Sequence, residues 1–167
     1  MEGEYLFRPG NIGKMEIKNR LVMAPMGMTG LVDLDGRYSQ RGIDYFVARA
    51  KGGVGMIVTG LIPVEMEVEK RSTENLTMYP RADSPLFIAR LNELTDAVHD
   101  YDTKIAAQLS AGMGRVARAA VAQSGWAVSS SSGPCFWDPA YKAKELTLEE
   151  IERLINAFEV AATTVQA

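Results

Sequence analysis

Three short apolar runs, each stopped by glycine, proline or a polar residue, alternate along this chain with stretches of helical period. The first is Arg20-Leu-Val-Met-Ala-Pro-Met-Gly-Met28, the second Gly55-Met-Ile-Val-Thr-Gly60 and the third Lys104-Ile-Ala-Ala-Gln-Leu109. Short apolar runs bounded by turn residues fit strands buried on both faces. Between the first two, Ile43, Phe46, Val47 and Ala50 recur at i, i+3, i+4, i+7, one helical face, and Gly52-Gly53 supplies a left-handed stop. Between the second and third, Ser84-Pro85 reads as N-cap and first helical residue ahead of a stripe of Phe87, Leu91, Leu94 and Val98. After the third, Thr147-Leu-Glu-Glu150 is a capping box. The helix behind it is expected to bury Ile151, Leu154, Ile155, Phe158, Ala162 and Val165.

Strands alternating with helices predict an α/β fold with a parallel sheet and right-handed crossovers. All strand C-termini then share one edge. Pro25-Met26-Gly27, Gly60 and Gln108 become neighbours in space although far apart in sequence, and strand-end turns are where α/β proteins place ligand-binding backbone.

The connections are less regular. Tyr5-Leu-Phe7 and Met15-Glu-Ile-Lys18 flank Pro9-Gly10-Asn11, which reads as a hairpin ahead of the first strand. Residues 29–41 are turn-rich and read as a loop over the first strand end. Residues 64–81 form a long connection whose charges (Glu65 to Arg71) read as solvated surface. Asp100-Tyr-Asp102 turns the chain into the third strand. Residues 110–146 show no clear period, and a loop that long in a compact domain is functional or disordered. Its two tryptophans, Trp126 and Trp137, argue against disorder.

Composition bounds the function. A net charge of −3 gives no basic face for nucleic acid. No apolar run approaches the roughly 20 residues of a membrane helix. The acidic start, Met-Glu-Gly-Glu-Tyr5, is not a secretory leader, so a cytoplasmic address is expected. A single cysteine, Cys135, excludes an internal disulfide and an all-cysteine metal cluster within these residues.

The strand-end residues suit a flat heteroaromatic ligand. Gly27 and Gly60 lack a Cβ and permit close approach. Met26 offers soft apolar area, and Gln108 offers a donor and an acceptor from one amide. Two readings stand for Pro25, Gly27 and Gly60, which also serve as ordinary strand punctuation. Gln108 on an apolar strand is the more unusual residue, since a buried amide needs partners. Gly112-Met-Gly114-Arg-Val-Ala117 imitates a dinucleotide fingerprint, but the stretch behind it is soon broken by Gly125 and opens no amphipathic helix. His99, the one histidine, sits at a helix C-terminus, where its charge is favoured without any catalysis. Cys135 has no histidine near it in sequence to activate it.

Taken together, the chain resembles the Old Yellow Enzyme-like FMN oxidoreductases, and within them the 2-enoate reductases, relatives of 2,4-dienoyl-CoA reductase and bile-acid-inducible oxidoreductases. The matching stretches run from end to end: Leu6-Phe7, Lys18-Asn-Arg20, Ala24-Pro-Met-Gly27, Gln40-Arg-Gly-Ile-Asp-Tyr45, Ala48-Arg-Ala-Lys-Gly-Gly53, Ile57-Val-Thr-Gly60, Gln108-Leu-Ser-Ala-Gly112, Gly114-Arg-Val116 and Glu145-Leu-Thr-Leu-Glu-Glu-Ile151.

The resemblance implies an eight-stranded β/α barrel with FMN at its C-terminal rim. It sets backbone from Ala24, Pro25, Met26 and Gly27 against the flavin, Gly60 near the O4/N5 edge and Gln108 on the pyrimidine edge. In such enzymes NAD(P)H reduces the flavin, and hydride passes from N5 to the β-carbon of an α,β-unsaturated carboxylate or carbonyl compound. Two departures stand out. No histidine follows Gln108 where many relatives have one, and Ser129-Ser130-Ser131 replaces a proline-serine in the long loop.

Three β-α units make less than half of a barrel that takes about 250 residues. Residues 1–167 are therefore expected to be the N-terminal portion of one FMN-binding barrel domain, with a hairpin lid near residues 5–18, cut before strand four. Catalytic side chains, and any iron–sulfur cluster or FAD, would lie beyond Ala167, and the isolated chain is expected to be inactive. The expected partners are the unsaturated substrate and the remainder of the barrel, with no nucleic acid and no membrane. The alternative is a non-catalytic piece that binds FMN weakly or self-associates through its open sheet edge.

Overall fold

In the computed structural model, described over residues 3–27, 30–65, 67–68, 80–82 and 86–166, the three apolar runs do form one parallel sheet. An antiparallel hairpin comes first, β1 (Gly10–Ile12) and β2 (Met15–Ile17). Its turn is Gly13-Lys14, not Pro9-Gly10-Asn11, because Gly13 takes the positive φ (+61°) that a two-residue hairpin turn demands. The sheet follows, with β3 (Val22–Met23), β4 (Met56–Pro63) and β5 (Lys104–Ser110) in that order and all parallel.

The first run is not buried on both faces as expected. Among the described residues only Val22 and Met23 pair, β3 has β4 as its single neighbour, and Val22 is 48 % exposed. Ala24 to Gly27 leave the ladder and run on without pairing.

Helices α1 (Gln40–Lys51) and α2 (Phe87–His99) lie beside each other over the sheet. Ser39 caps α1, its Oγ accepting the Gly42 amide at 3.2 Å, and Gly53 takes the left-handed stop at φ +96°. Ile43, Phe46 and Ala50 are buried from α1, and Phe87, Leu91, Leu94 and Val98 from α2, as their spacing predicted. The expected Ser84-Pro85 cap lies outside the described residues, as does most of the 64–81 connection. Glu65 departs from the solvated reading. Its carboxylate is only 10 % exposed, accepts the Glu67 and Val68 amides at 2.9 and 3.0 Å, and pairs with Arg153 at 3.2 Å.

Residues 31–38 also differ from a bare loop. Val32 bridges Tyr38, and Leu31, Val32 and Tyr38 enter the core against Phe46 and Phe87. At the opposite end of the sheet Asn19 joins the strand starts. Its Nδ2 donates to the Gly53 carbonyl at 2.7 Å, and its Oδ1 accepts the Leu21 amide at 3.1 Å. Lys18 reaches Thr103 Oγ1 at 3.1 Å, just ahead of β5, so the hairpin sits at the strand N-termini.

Residues 110–146 are built rather than structureless. A 3₁₀ turn at Gly114–Val116 leads to α3 (Ala119–Gln123), then to β6 (Val128–Ser129), β7 (Gly133–Pro134) and β8 (Lys142–Glu145), with strand order β6-β8-β7. This excursion has its own small core of Ala117, Val121, Ala122, Ala127, Cys135 and Ala143. The buried Cys135 is one of its packing residues.

Helix α4 (Leu148–Gln166) closes the described chain. Its capping box forms as the sequence indicates: Glu150 N–H donates to Thr147 Oγ1 at 3.2 Å, and Thr147 N–H donates to Glu150 Oε2 at 2.8 Å. Its inward stripe is Leu154, Ala157, Phe158, Ala161 and Val165. Ile155 and Ala162 were expected there but are exposed, because each lies one residue, about 100° of helix, past that stripe.

Candidate functional site

The C-terminal ends of the three strands do meet. They frame an open cleft of about 720 Å³, within the range of small-molecule sites. Pro25 and Gly27 come from the segment after β3, Leu61 from β4 and Gln108 from β5. The opposite wall comes from the excursion after β5 and consists of Met113, Val116, Arg118, Ala119 and Trp137.

A β-bulge shapes this edge. Val58 pairs with Ala106, but the next partners are Leu61 and Gln108, so two residues of β4 (Thr59 and Gly60) face one of β5 (Ala107). Such an insertion bends the strand and re-aims side chains. Here Thr59 stays buried at 1 % exposure and Ala107 packs on the core, while Leu61 and Gln108 both reach the cleft. Thr59 Oγ1 accepts the Gln108 backbone N–H at 3.3 Å at the irregularity.

Behind Thr59 sits the buried hydroxyl of Tyr38, which makes no hydrogen bond of normal geometry. Burial pushes this phenol above the usual tyrosine range, and the nearby Thr59 hydroxyl opposes the shift.

The six residues expected to touch a ligand divide. Pro25, Gly27 and Gln108 line the cleft. Ala24 and Met26, which alternate with Pro25 and Gly27 along the chain, do not line it, and Met26 is 50 % exposed. Gly60 is not in the lining either. A Cβ on Gly60 would stand 2.2 Å from the Met26 carbonyl oxygen, so what comes close to this glycine is the backbone of the neighbouring strand end. Gln108, expected at the strand-end rim with its amide toward the edge of a ligand, is exposed in the cleft, and its side chain has no protein hydrogen bond among the described residues.

The residues that sequence reasoning missed belong to the excursion. Trp137 is 66 % exposed yet held in place: its Nε1 donates to the Val116 carbonyl at 3.1 Å, and its ring packs edge-on against Phe136 with centroids 4.9 Å apart. Arg118 supplies the cleft's one charge among the lining residues. The available signal was the tryptophan in a long post-strand segment.

The imitation fingerprint forms no dinucleotide site. Gly114 opens a single 3₁₀ turn, Ala117 is extended, and the following α3 has only five residues. His99 is the last residue of α2, at the end of the sheet away from the cleft. Among the described residues no group of histidine, cysteine, aspartate or glutamate could hold a metal ion, and no helix is long and apolar enough to cross a membrane.

Comparison with known proteins agrees with this architecture. The chain is 42 % identical over 164 residues to cinnamate reductase of Clostridium sporogenes, covering 97 % of this chain and 24 % of that protein. It is 40 % identical over 157 residues to NADH oxidase of Thermoanaerobacter brockii, covering 94 % of this chain and 23 % of that protein. Among solved structures it superposes on the Old Yellow Enzyme homologue from Zymomonas mobilis with a TM-score of 0.74 at 28 % identity, over 96 % of this chain and 45 % of that one. It superposes on 2-naphthoyl-CoA reductase with a TM-score of 0.79 at 24 % identity, over 98 % of this chain and 26 % of that one. The chain thus spans about a quarter of the two curated relatives named. The fold is the corresponding portion of a (β/α)8 barrel. Residues 5–167 match the NADH:flavin oxidoreductase / NADH oxidase family, and the chain belongs to that family.

Proposed function

We propose that this chain forms the flavin-contacting front of an FMN-dependent ene-reductase that uses NAD(P)H to reduce an α,β-unsaturated carboxylate or carbonyl compound. One observation carries the reading. Gln108 holds a side-chain amide without a protein partner among the described residues, in a largely apolar cleft that the side-chain-free backbone of Gly27 also lines. A flat ring with an alternating C=O and N–H edge suits that arrangement, because one primary amide donates and accepts side by side. The cleft's size and apolar walls fit an isoalloxazine ring.

In this proposal the backbone from Ala24 to Gly27 lies against the ring and Gln108 bonds its pyrimidine edge. Gly60 keeps the β3 and β4 ends close enough to present one continuous surface near the O4/N5 edge. Bound FMN would supply hydride transfer between nicotinamide and alkene. Leu61, Met113 and Val116 exclude water from its surroundings, and the Gln108 hydrogen bond tunes the ring's potential. The name of the relative from Clostridium sporogenes supports an unsaturated acid as substrate.

Because the chain spans about a quarter of that relative, groups that polarise the substrate carbonyl and donate the proton are assigned to other parts of the parent protein. With one cysteine these residues provide no cluster ligand set, so an iron–sulfur centre and an FAD site are assigned there as well. In this proposal the 167-residue chain by itself turns over no enoate.

The test is a visible-absorption titration with FMN. Saturable perturbation of the flavin bands, weakened about tenfold in Gln108→Ala, is expected from the loss of one hydrogen bond to the ring. Flavin binding that ignores Gln108→Ala would overturn the site.

A further inference from the structure

Among the described residues the charge in the cleft has no protein partner. Arg118 is exposed on the wall facing the strand ends, and among the described residues its guanidinium meets no carboxylate and no carbonyl. Two other arginines of the chain are engaged. Arg115 Nε donates to the Pro134 carbonyl at 2.9 Å, and Arg153 pairs with Glu65. A guanidinium is always charged and presents a planar fork that matches a carboxylate. Set among Met113, Val116, Ala119 and Trp137, it gives this wall one anion-binding point in an apolar field.

The second component of the wall is Trp137. Its edge is fixed by the bond to Val116 and by Phe136, yet two-thirds of its surface remains open. An anchored, open indole is a preorganised stacking surface, and immobilising it costs little further entropy on binding. A cation and an indole on one wall describe an acid with an aromatic substituent.

We propose that Arg118 is the residue that selects a carboxylate-bearing substrate, and that Trp137 packs against that substrate's aromatic ring. The proposal rests on the ene-reductase reading and adds to it. Specificity for the free acid over its amide or ester resides in the excursion after β5, on the wall opposite Gln108. A carboxylate gains a charge-assisted pair with Arg118, whereas an amide of the same shape leaves the guanidinium without its counter-charge.

The test reads tryptophan fluorescence in a Trp126→Phe background, so that Trp137 reports, with and without FMN. The probes are 3-phenylpropanoate, which is saturated and does not react, and its neutral amide. The acid is expected to bind more tightly than the amide. Arg118→Gln is expected to weaken the acid about tenfold while leaving the amide unchanged, and Arg118→Lys to restore part of the loss. Raised salt is expected to weaken the acid alone.

Equal binding of acid and amide, or acid binding indifferent to Arg118→Gln, overturns the proposal. So does an Arg118→Gln protein that keeps acid binding but loses FMN relative to riboflavin, which would give the arginine to the cofactor phosphate. Because the acid is read from Trp137, a failure of flavin binding is seen separately in the flavin bands and counts against the ene-reductase reading instead.

Discussion

Gly60 stands directly against the carbonyl of Met26: a Cβ built on Gly60 would lie 2.2 Å from the Met26 oxygen and 2.9 Å from its carbonyl carbon. Both contacts are with backbone, which cannot rotate away as a side chain tip can. The glycine thus sets how near the ends of β3 and β4 come to each other, and through that the continuity of the cleft floor between Gly27 and Leu61. Gly60→Ala is expected to destabilise the protein by about 1–3 kcal/mol, the usual cost of forcing atoms into a packed site. Denaturant unfolding measures that loss. FMN affinity is expected to fall with it, since displacement of the Met26–Gly27 backbone disturbs the floor.

Thr59 and Tyr38 are expected to behave oppositely, although both are buried hydroxyls in one corner of the core. Thr59 Oγ1 accepts the Gln108 backbone N–H at the bulge, so Thr59→Val removes that hydrogen bond and should cost about 1 kcal/mol. The Tyr38 hydroxyl has no hydrogen bond of normal geometry, so Tyr38→Phe removes a desolvated polar group that gains little. Its stability is expected to stay within about 0.5 kcal/mol of the parent or to rise. Paired urea titrations decide this, and a larger loss for Tyr38→Phe than for Thr59→Val would overturn it.

The start of α4 is expected to be acid-sensitive. Glu150 accepts the Thr147 N–H and bonds Lys144 at 3.1 Å, and these contacts hold its carboxyl below the usual glutamate range. A group whose folded pKa is depressed adds stability above its unfolded pKa, near 4.3. That stability drains away as pH falls through the folded value. The melting temperature of the parent should therefore fall more than that of Glu150→Gln as pH drops from about 5 to 3. Parallel acid dependences in the two proteins would remove Glu150 from the account.

Periodicity over a long window was legible. Phe87, Leu91, Leu94 and Val98 are inside as their spacing required, because a helix face of that length has one way to bury its stripe. The box at Thr147 and Glu150 was equally readable, since its partners lie three residues apart and need no distant chain. Phase was harder. Ile155 satisfies the apolar pattern of α4 yet is 55 % exposed, because the sheet and α2 choose which neighbouring stripe faces inward. The excursion at 110–146 was opaque for another reason: its helix and strands have two to five residues each, too few to show a period.

By itself the sequence determined the parallel order of three β-α units, the glycine stop after α1, the capping box of α4 and the gathering of Pro25, Gly27 and Gln108 at one edge. These follow from local spacing and from the rule that parallel strands end on the same side. Tertiary structure decided the rest. The bulge at Thr59-Gly60 shifts the register of β4 so that Leu61 stands opposite Gln108 at the cleft, the Met26 carbonyl takes the space in front of Gly60, and the excursion brings Arg118 and Trp137 across from the strand ends. Each of these depends on which backbones meet across dozens of residues of chain, and neither residue type nor local spacing encodes that meeting.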